Sequence, residues 1–127
     1  MEDKVNLLKE VACHLEFCGL GRVDGDIFWG RMPDGPEDCV GVFAADGGLP
    51  GAETAARVQI LARARETGGA YARACRIAEA LDGFNGFLHG GGAAAKIEAA
   101  GASGRGEDEK KREMYMVEIR VKYGENE

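Results

Sequence analysis

A chain of 127 residues and 13.5 kDa, 45% hydrophobic and 30% charged, fits one compact domain around one core and is too short for two. A formal net charge of −6 and a pI near 5.0 exclude a general nucleic-acid binder, which needs a concentrated basic surface for phosphates, while leaving room for a local basic stripe. Apolar runs are broken every few residues by charge or glycine, well short of the ~20 apolar residues that a bilayer span requires. Residues 1–18 mix charge throughout instead of forming a secretory signal, which places the protein in a cytoplasm or in a particle assembled there.

Residues 3–18 read as a helix with Val5, Leu8, Ala12 and Leu15 on one face and Lys4, Lys9, Glu10 and Glu16 outside it, stopped by Gly19 and Gly21. "DIFWGRM" (26–32) reads as a short strand and "PDGP" (33–36) as a turn whose Pro33 and Pro36 stay out of either ladder. "DCVGVFAADGG" (38–48) reads as a second strand followed by a turn. Neighbours on a strand face opposite ways, so one of Phe28 and Trp29 points inward and the other outward, with Trp29 in a partly buried structural place rather than an interface.

"RVQILARAR" (57–65) alternates cleanly: Val58, Ile60, Ala62 and Ala64 fall on a core side, and Arg57, Gln59, Leu61, Arg63 and Arg65 on the other. Thr67, Gly68 and Gly69 break this strand. Tyr71, Ala74, Cys75, Ala78 and Leu81 then recur at helical spacing up to a cap at Gly83, with Arg73 and Arg76 expected on a solvated helix face near Glu79.

Eight glycines lie from Gly83 to Gly106, and the segment at about 83–111 is expected to be flexible, with one weak strand around Ala94 to Ala99. "RGEDEKKRE" (105–113) reads as a solvated loop tip. The final strand (112–123) is the clearest, with Tyr115, Val117, Ile119, Val121 and Tyr123 alternating with Met114, Met116, Glu118, Arg120 and Lys122. This order predicts an α+β fold, a small mostly antiparallel mixed sheet with two helices packed on one face.

Searching for chemistry returns mainly absences. Ser103 in "GASGR" lacks the spacing of a nucleophile elbow, no P-loop occurs, and "GLGRVDG" (19–25) has the wrong spacing for a dinucleotide fingerprint. His14 and His89 lie far apart in sequence, and His89 stands next to a glycine run rather than near a cysteine or carboxylate that could orient it. Cys13 and Cys18, five apart, match neither a CxxC redox pair nor a zinc knuckle, and Cys13, Cys18, Cys39 and Cys75 are expected as reduced thiols, core or half-buried. These readings imply no enzyme, no cofactor and no metal.

The order of segments resembles the small tail terminator or minor capsid proteins of long-tailed bacteriophages and prophages. The resemblance runs through "GDIFWGRMPDGPEDCVGVFAADGGLPG", at Asp26, Phe28, Gly30, Pro33, Asp34, Pro36, Val40, Val42, Gly48 and Pro50. It continues through "VQILAR" at Val58, Gln59, Ile60 and Arg63, the alanine-rich helix ending in "ALDGF", and "GEDEKKREMYMVEIRVKY". "AAGASGRGE" departs from it in having no proline.

The resemblance implies a subunit of a ring, a hexamer, on the head-proximal end of the tail tube, where it stops tube growth and presents a surface to the neck. Its implied partners are other copies of itself, the tail tube protein and a head-completion or neck protein, with DNA only passing through the ring and no membrane. The implied location is the virion tail, and the host cytoplasm during assembly. A polar sheet face with exposed edges is suited to strand addition between subunits. Arg57, Gln59, Arg63, Arg65, Glu118, Arg120 and Lys122 are then candidates for subunit contacts or for the ring lumen. Arg105, Lys110, Lys111 and Arg112 form a candidate assembly loop or plain solvated surface. Two other readings are a neighbouring neck or minor capsid protein, and a small cytoplasmic α+β enzyme or ligand-binding module with a pocket between the second helix and the sheet.

Overall fold

The computed structural model describes residues 2–45, 55–88 and 94–123. The chain runs α1 (Glu2–Phe17), β1 (Ile27–Trp29), β2 (Cys39–Ala44), β3 (Ala55–Ala64), α2 (Gly69–Leu81), β4 (Asn85–Phe87), β5 (Ala94–Ala99), β6 (Ser103–Glu107) and β7 (Glu113–Tyr123). The strands form one sheet in the order β1-β2-β3-β7-β5-β4, and β6 also pairs with β7. His89, Gly48 and Pro50 lie outside the described residues, as does the end of the expected 38–48 segment. Among the described residues no helix is long and apolar enough to cross a membrane.

The α+β class holds, and the sheet is mixed. Its departure from the expected antiparallel run lies at β1, which runs parallel to β2 with Ile27 opposite Val40 and Trp29 opposite Val42. The other named pairings are antiparallel. A tight turn at "PDGP" would have reversed the chain into a hairpin; instead residues 30–38 carry it back along the sheet so that β2 starts beside the start of β1.

The alternation in β3 and β7 appears as read. Val58, Ile60 and Ala62 are buried opposite Ile119, Val117 and Tyr115, so one side of the central pair is apolar along its length. Burying side chains of this size contributes about 1.5–3 kcal/mol each. The buried side chains of both helices join the same core: Leu7, Leu8, Val11, Ala12 and Leu15 from α1, and Ala70, Ala74, Ile77 and Leu81 from α2. α1 packs near β1 and β2, and α2 near β3, β5 and β7.

Helix α1 ends in a Schellman arrangement, with the Leu20 N–H donating to the Leu15 carbonyl at 3.0 Å and the Gly19 N–H to Glu16 at 2.9 Å, as the glycine signal predicted. Tyr71 stands apart from the face assigned to it. It is exposed at the helix margin and meets Tyr115 edge-on, with ring centroids 5.2 Å apart.

The described part of the glycine-rich segment is built into the sheet. β4, β5 and β6 take up residues 85–87, 94–99 and 103–107, where the sequence offered one weak strand. β6 is exposed throughout and is held by backbone pairing with β7, through a bulge between Gly104 and Glu107. Backbone pairing with the border of a strong strand needs no apolar alternation, so the sequence pattern carries no trace of it.

Candidate functional site

Strand parity puts Arg57, Gln59, Leu61 and Arg63 of β3 on the sheet face opposite the core, beside Phe43, Gly41 and Cys39 of β2 and Met114, Met116, Glu118, Arg120 and Lys122 of β7. This outer face divides into a covered half and an open half.

The covered half lies under the 30–38 connection. Phe28 on this face and Trp29 on the other obey the expected alternation, with Phe28 buried and Trp29 half-buried against the core. The Arg31 guanidinium carbon lies 5.0 Å from the Phe28 ring centroid. Gly41 leaves room for Phe43 and Met32, because a Cβ there would come within 2.7 Å of the Phe43 ring and 3.3 Å of Met32 Cβ.

Arg63, a candidate for external contacts, is only 5% exposed and is directed at this connection. Its Nη2 donates to the carbonyls of Pro33 at 2.8 Å, Asp34 at 3.0 Å and Pro36 at 2.8 Å, and its Nε donates more weakly to Glu37 at 3.4 Å. The planar fork of the guanidinium serves two places at once, with Nη2 at the Pro33, Asp34 and Pro36 carbonyls and Nε toward Glu37. Residues 33–37 therefore owe their path to a side chain that the sequence places one strand away.

Arg112 works from the other side. It is 4% exposed, donating through Nη1 to the Asp34 carbonyl at 2.6 Å, through Nη2 to Asp34 Oδ1 at 3.0 Å, and through Nε to Asp108 Oδ2 at 2.8 Å. Lys110 also pairs with the Asp34 carboxylate. Hydrogen bonds from Lys110 and then Arg112 hold the Asp34 carboxyl below the usual carboxylate range. The backbone N–H and then the side chain of Arg112 bring Asp108 down to about 2. The Lys111 N–H donates to the Asp108 carbonyl at 2.9 Å and closes the turn. The expected solvated tip is therefore docked on the 33–37 segment through Arg112, while Lys110 and Lys111 remain exposed. Arg105 reaches back to Met116 Sδ at 3.5 Å.

The open half lies at the opposite end of β7. Arg57 Nε meets Glu118 Oε2 at 2.9 Å, and Lys122 Nζ lies 3.9 Å from Glu98 Oε2. Arg57 stands opposite Arg120, Gln59 opposite Glu118, and Lys96 opposite Lys122. Arg120, Lys122, Lys96 and Glu98 are exposed, and Arg57, Gln59 and Glu118 are half-buried. Phe87 of β4, on the same face, is 69% exposed. Arg65 lies past the end of β3, exposed and paired with Glu37 at 3.0 Å. The fold thus gathers Arg57, Gln59, Glu118, Arg120 and Lys122, and separates Arg63 and Arg65 from them. Sequence reasoning passed over Lys96, Glu98 and Phe87, because their strands sit in a stretch with little apolar pattern.

Arg73 also departs from the solvated role expected for it. Its Nη2 donates to the Leu20 carbonyl and to Asp26 Oδ2, both at 2.9 Å, tying α2 to the turn after α1. Arg76 is exposed. Both line a cleft of about 350 Å³ with Gly19, Asp26, Asp38 and Arg63, where the hydrogen bonds of Arg63 and Arg73 go to groups of the chain itself. Cys13, Cys18, Cys39 and Cys75 are free thiols. No group of three or more His, Cys, Asp or Glu side chains able to hold a metal occurs among the described residues.

No curated protein matches the chain in a sequence comparison. The family model described as bacteriophage tail terminator protein matches residues 14–124, from the last turn of α1 through the end of β7, and the chain belongs to that family of structural virion proteins.

Proposed function

We propose that copies of this chain close into a ring, a hexamer, on the head-proximal end of the tail tube of a long-tailed phage or prophage. The ring ends tube polymerisation and offers the surface that a head-completion or neck protein joins. Its partners are other copies of itself, the tube protein and the neck protein; DNA passes through it, and the role is structural, without a catalytic step. In this reading both helices cover the core side of the sheet and leave the other face for partners.

The observation that supports the reading best, beside the family match, is the division of the outer face. One half is closed by Arg63 and Arg112, and the other presents Arg57, Gln59, Glu118, Arg120 and Lys122, half-buried or exposed, with no further element over them among the described residues. A head-to-tail contact through such a face closes into a ring when the rotation per subunit divides the circle. Electron microscopy of the purified chain mixed with growing tail tubes tests it. The expected result is a ring on one end of each tube and arrested length; tubes that keep growing with the protein unattached overturn it.

A further inference from the structure

We propose that the open half of the outer face, with Arg57, Lys96, Arg120 and Lys122 beside the exposed Phe87, docks against an acidic surface of a second copy of this chain. The proposal rests on the ring reading above and identifies the contact that builds the ring.

The first observation is the register. Arg57 lies directly opposite Arg120 across β3 and β7, and Lys96 lies directly opposite Lys122 across β5 and β7. Like charges facing each other across a ladder are unfavourable. Among the described residues of the face, Glu118 and Glu98 answer these four cations, the first bound to Arg57 at 2.9 Å and the second 3.9 Å from Lys122. The arrangement is unfavourable in a lone subunit and becomes favourable once carboxylates from outside cover it.

The second observation is Phe87, which is 69% exposed on β4 at the sheet border, on the side that carries Asn85 and Lys96. An exposed aromatic ring with a charged strip on one side has the composition of an interface anchor and part of its polar rim. The third is charge balance. The face has more cations than carboxylates while the whole chain stands at −6, so the remaining surface of any copy is more acidic than that figure. Patch and complement then lie on different sides of one molecule, which is the condition for head-to-tail association. A phosphate-tracking face would need an unbroken basic surface. Here Glu98 and Glu118 interrupt the cations, which favours a protein surface of mixed charge.

The test uses the full chain in sedimentation equilibrium at low and high salt, with the Arg120→Glu/Lys122→Glu double variant, the Phe87→Ser variant, and circular dichroism to verify folding. The parent is expected to self-associate, each variant to associate at least tenfold more weakly, and added salt to weaken the parent. Acetylation of Lys96 and Lys122 is expected to slow when the parent assembles, a readout that needs no variant. Unchanged association of the double variant overturns the proposal, as does a double variant that associates like the parent but loses the parent's retention on a duplex-DNA column. Variants that still form rings and cap tubes remove this contact but leave the terminator reading standing. A parent chain that neither self-associates nor caps tubes removes both.

Discussion

Arg63 and Arg112 converge on one backbone oxygen: the Asp34 carbonyl accepts from Arg63 Nη2 at 3.0 Å and from Arg112 Nη1 at 2.6 Å. Both side chains are buried, and they come from segments 49 residues apart in sequence. Replacing Arg63 by Ala takes the guanidinium from the Pro33 and Pro36 carbonyls and leaves Asp34 to Arg112 alone, and is expected to cost about 2–4 kcal/mol of stability. Arg63→Lys is expected to lose about 1–2 kcal/mol, because an ammonium that meets the carbonyls gathered by Nη2 gives up the Nε–H toward Glu37 and the planar fit of the guanidinium. Urea denaturation of both variants measures this, and a double-mutant cycle with Arg112→Ala is expected to show coupling through the shared oxygen.

The turn held by Arg73 depends on a glycine. Gly21 has φ +152, and a Cβ there would lie 2.7 Å from Arg73 Nη2 and 2.8 Å from Ile27 Cγ1. Gly21→Ala is therefore expected to cost about 1–3 kcal/mol through backbone strain and displacement of the guanidinium. A fall in the thermal midpoint, together with faster amide exchange at Asp26 and Ile27, is the expected signature.

Acid should undo the tip at unusually low pH. Asp108 is depressed to about 2, first by the Arg112 N–H and then by its side chain. A carboxyl whose folded pKa lies below its unfolded value contributes stability that is complete above the unfolded value and fades as pH falls through the folded one. The loss is thus expected between about pH 4 and pH 2. Carboxyl NMR titration of Asp108 checks the midpoint, and Asp108→Asn is expected to remove this part of the acid dependence.

Thiol reactivity should follow burial. Burial pushes both the Cys39 and the Cys18 thiol up, but Cys39 is fully buried on the covered half, whereas Cys18 is exposed after the end of α1. Alkylation followed by mass spectrometry is expected to label Cys18 first and Cys39 last, the latter only when the structure opens. Arg63→Ala is expected to speed labelling of Cys39, since the two residues pair across β2 and β3.

The elements legible in the sequence are those whose periodicity reflects local burial. The alternation from Val58 to Ala64 and from Val117 to Val121 predicts the central pair, and the helical spacing of Ala74 and Leu81 predicts α2. β6 escaped because Ser103, Gly104, Arg105, Gly106 and Glu107 are all exposed and are held by the backbone. Arg63 and Arg112 were legible as charges but not as buried ones. Their burial depends on carbonyls of a distant loop, which no local pattern encodes. Lys96 became part of the open face only through its register with Lys122, a relation between strands separated by the β6 hairpin.

β1 and β4, at the two ends of the strand order, are three residues long among the described residues, and β6 is bent by its bulge. Frames this short offer too little backbone ladder to propagate a fibril. The borders of the sheet thus give little foothold for open-ended stacking, and no dedicated shield is needed to block it.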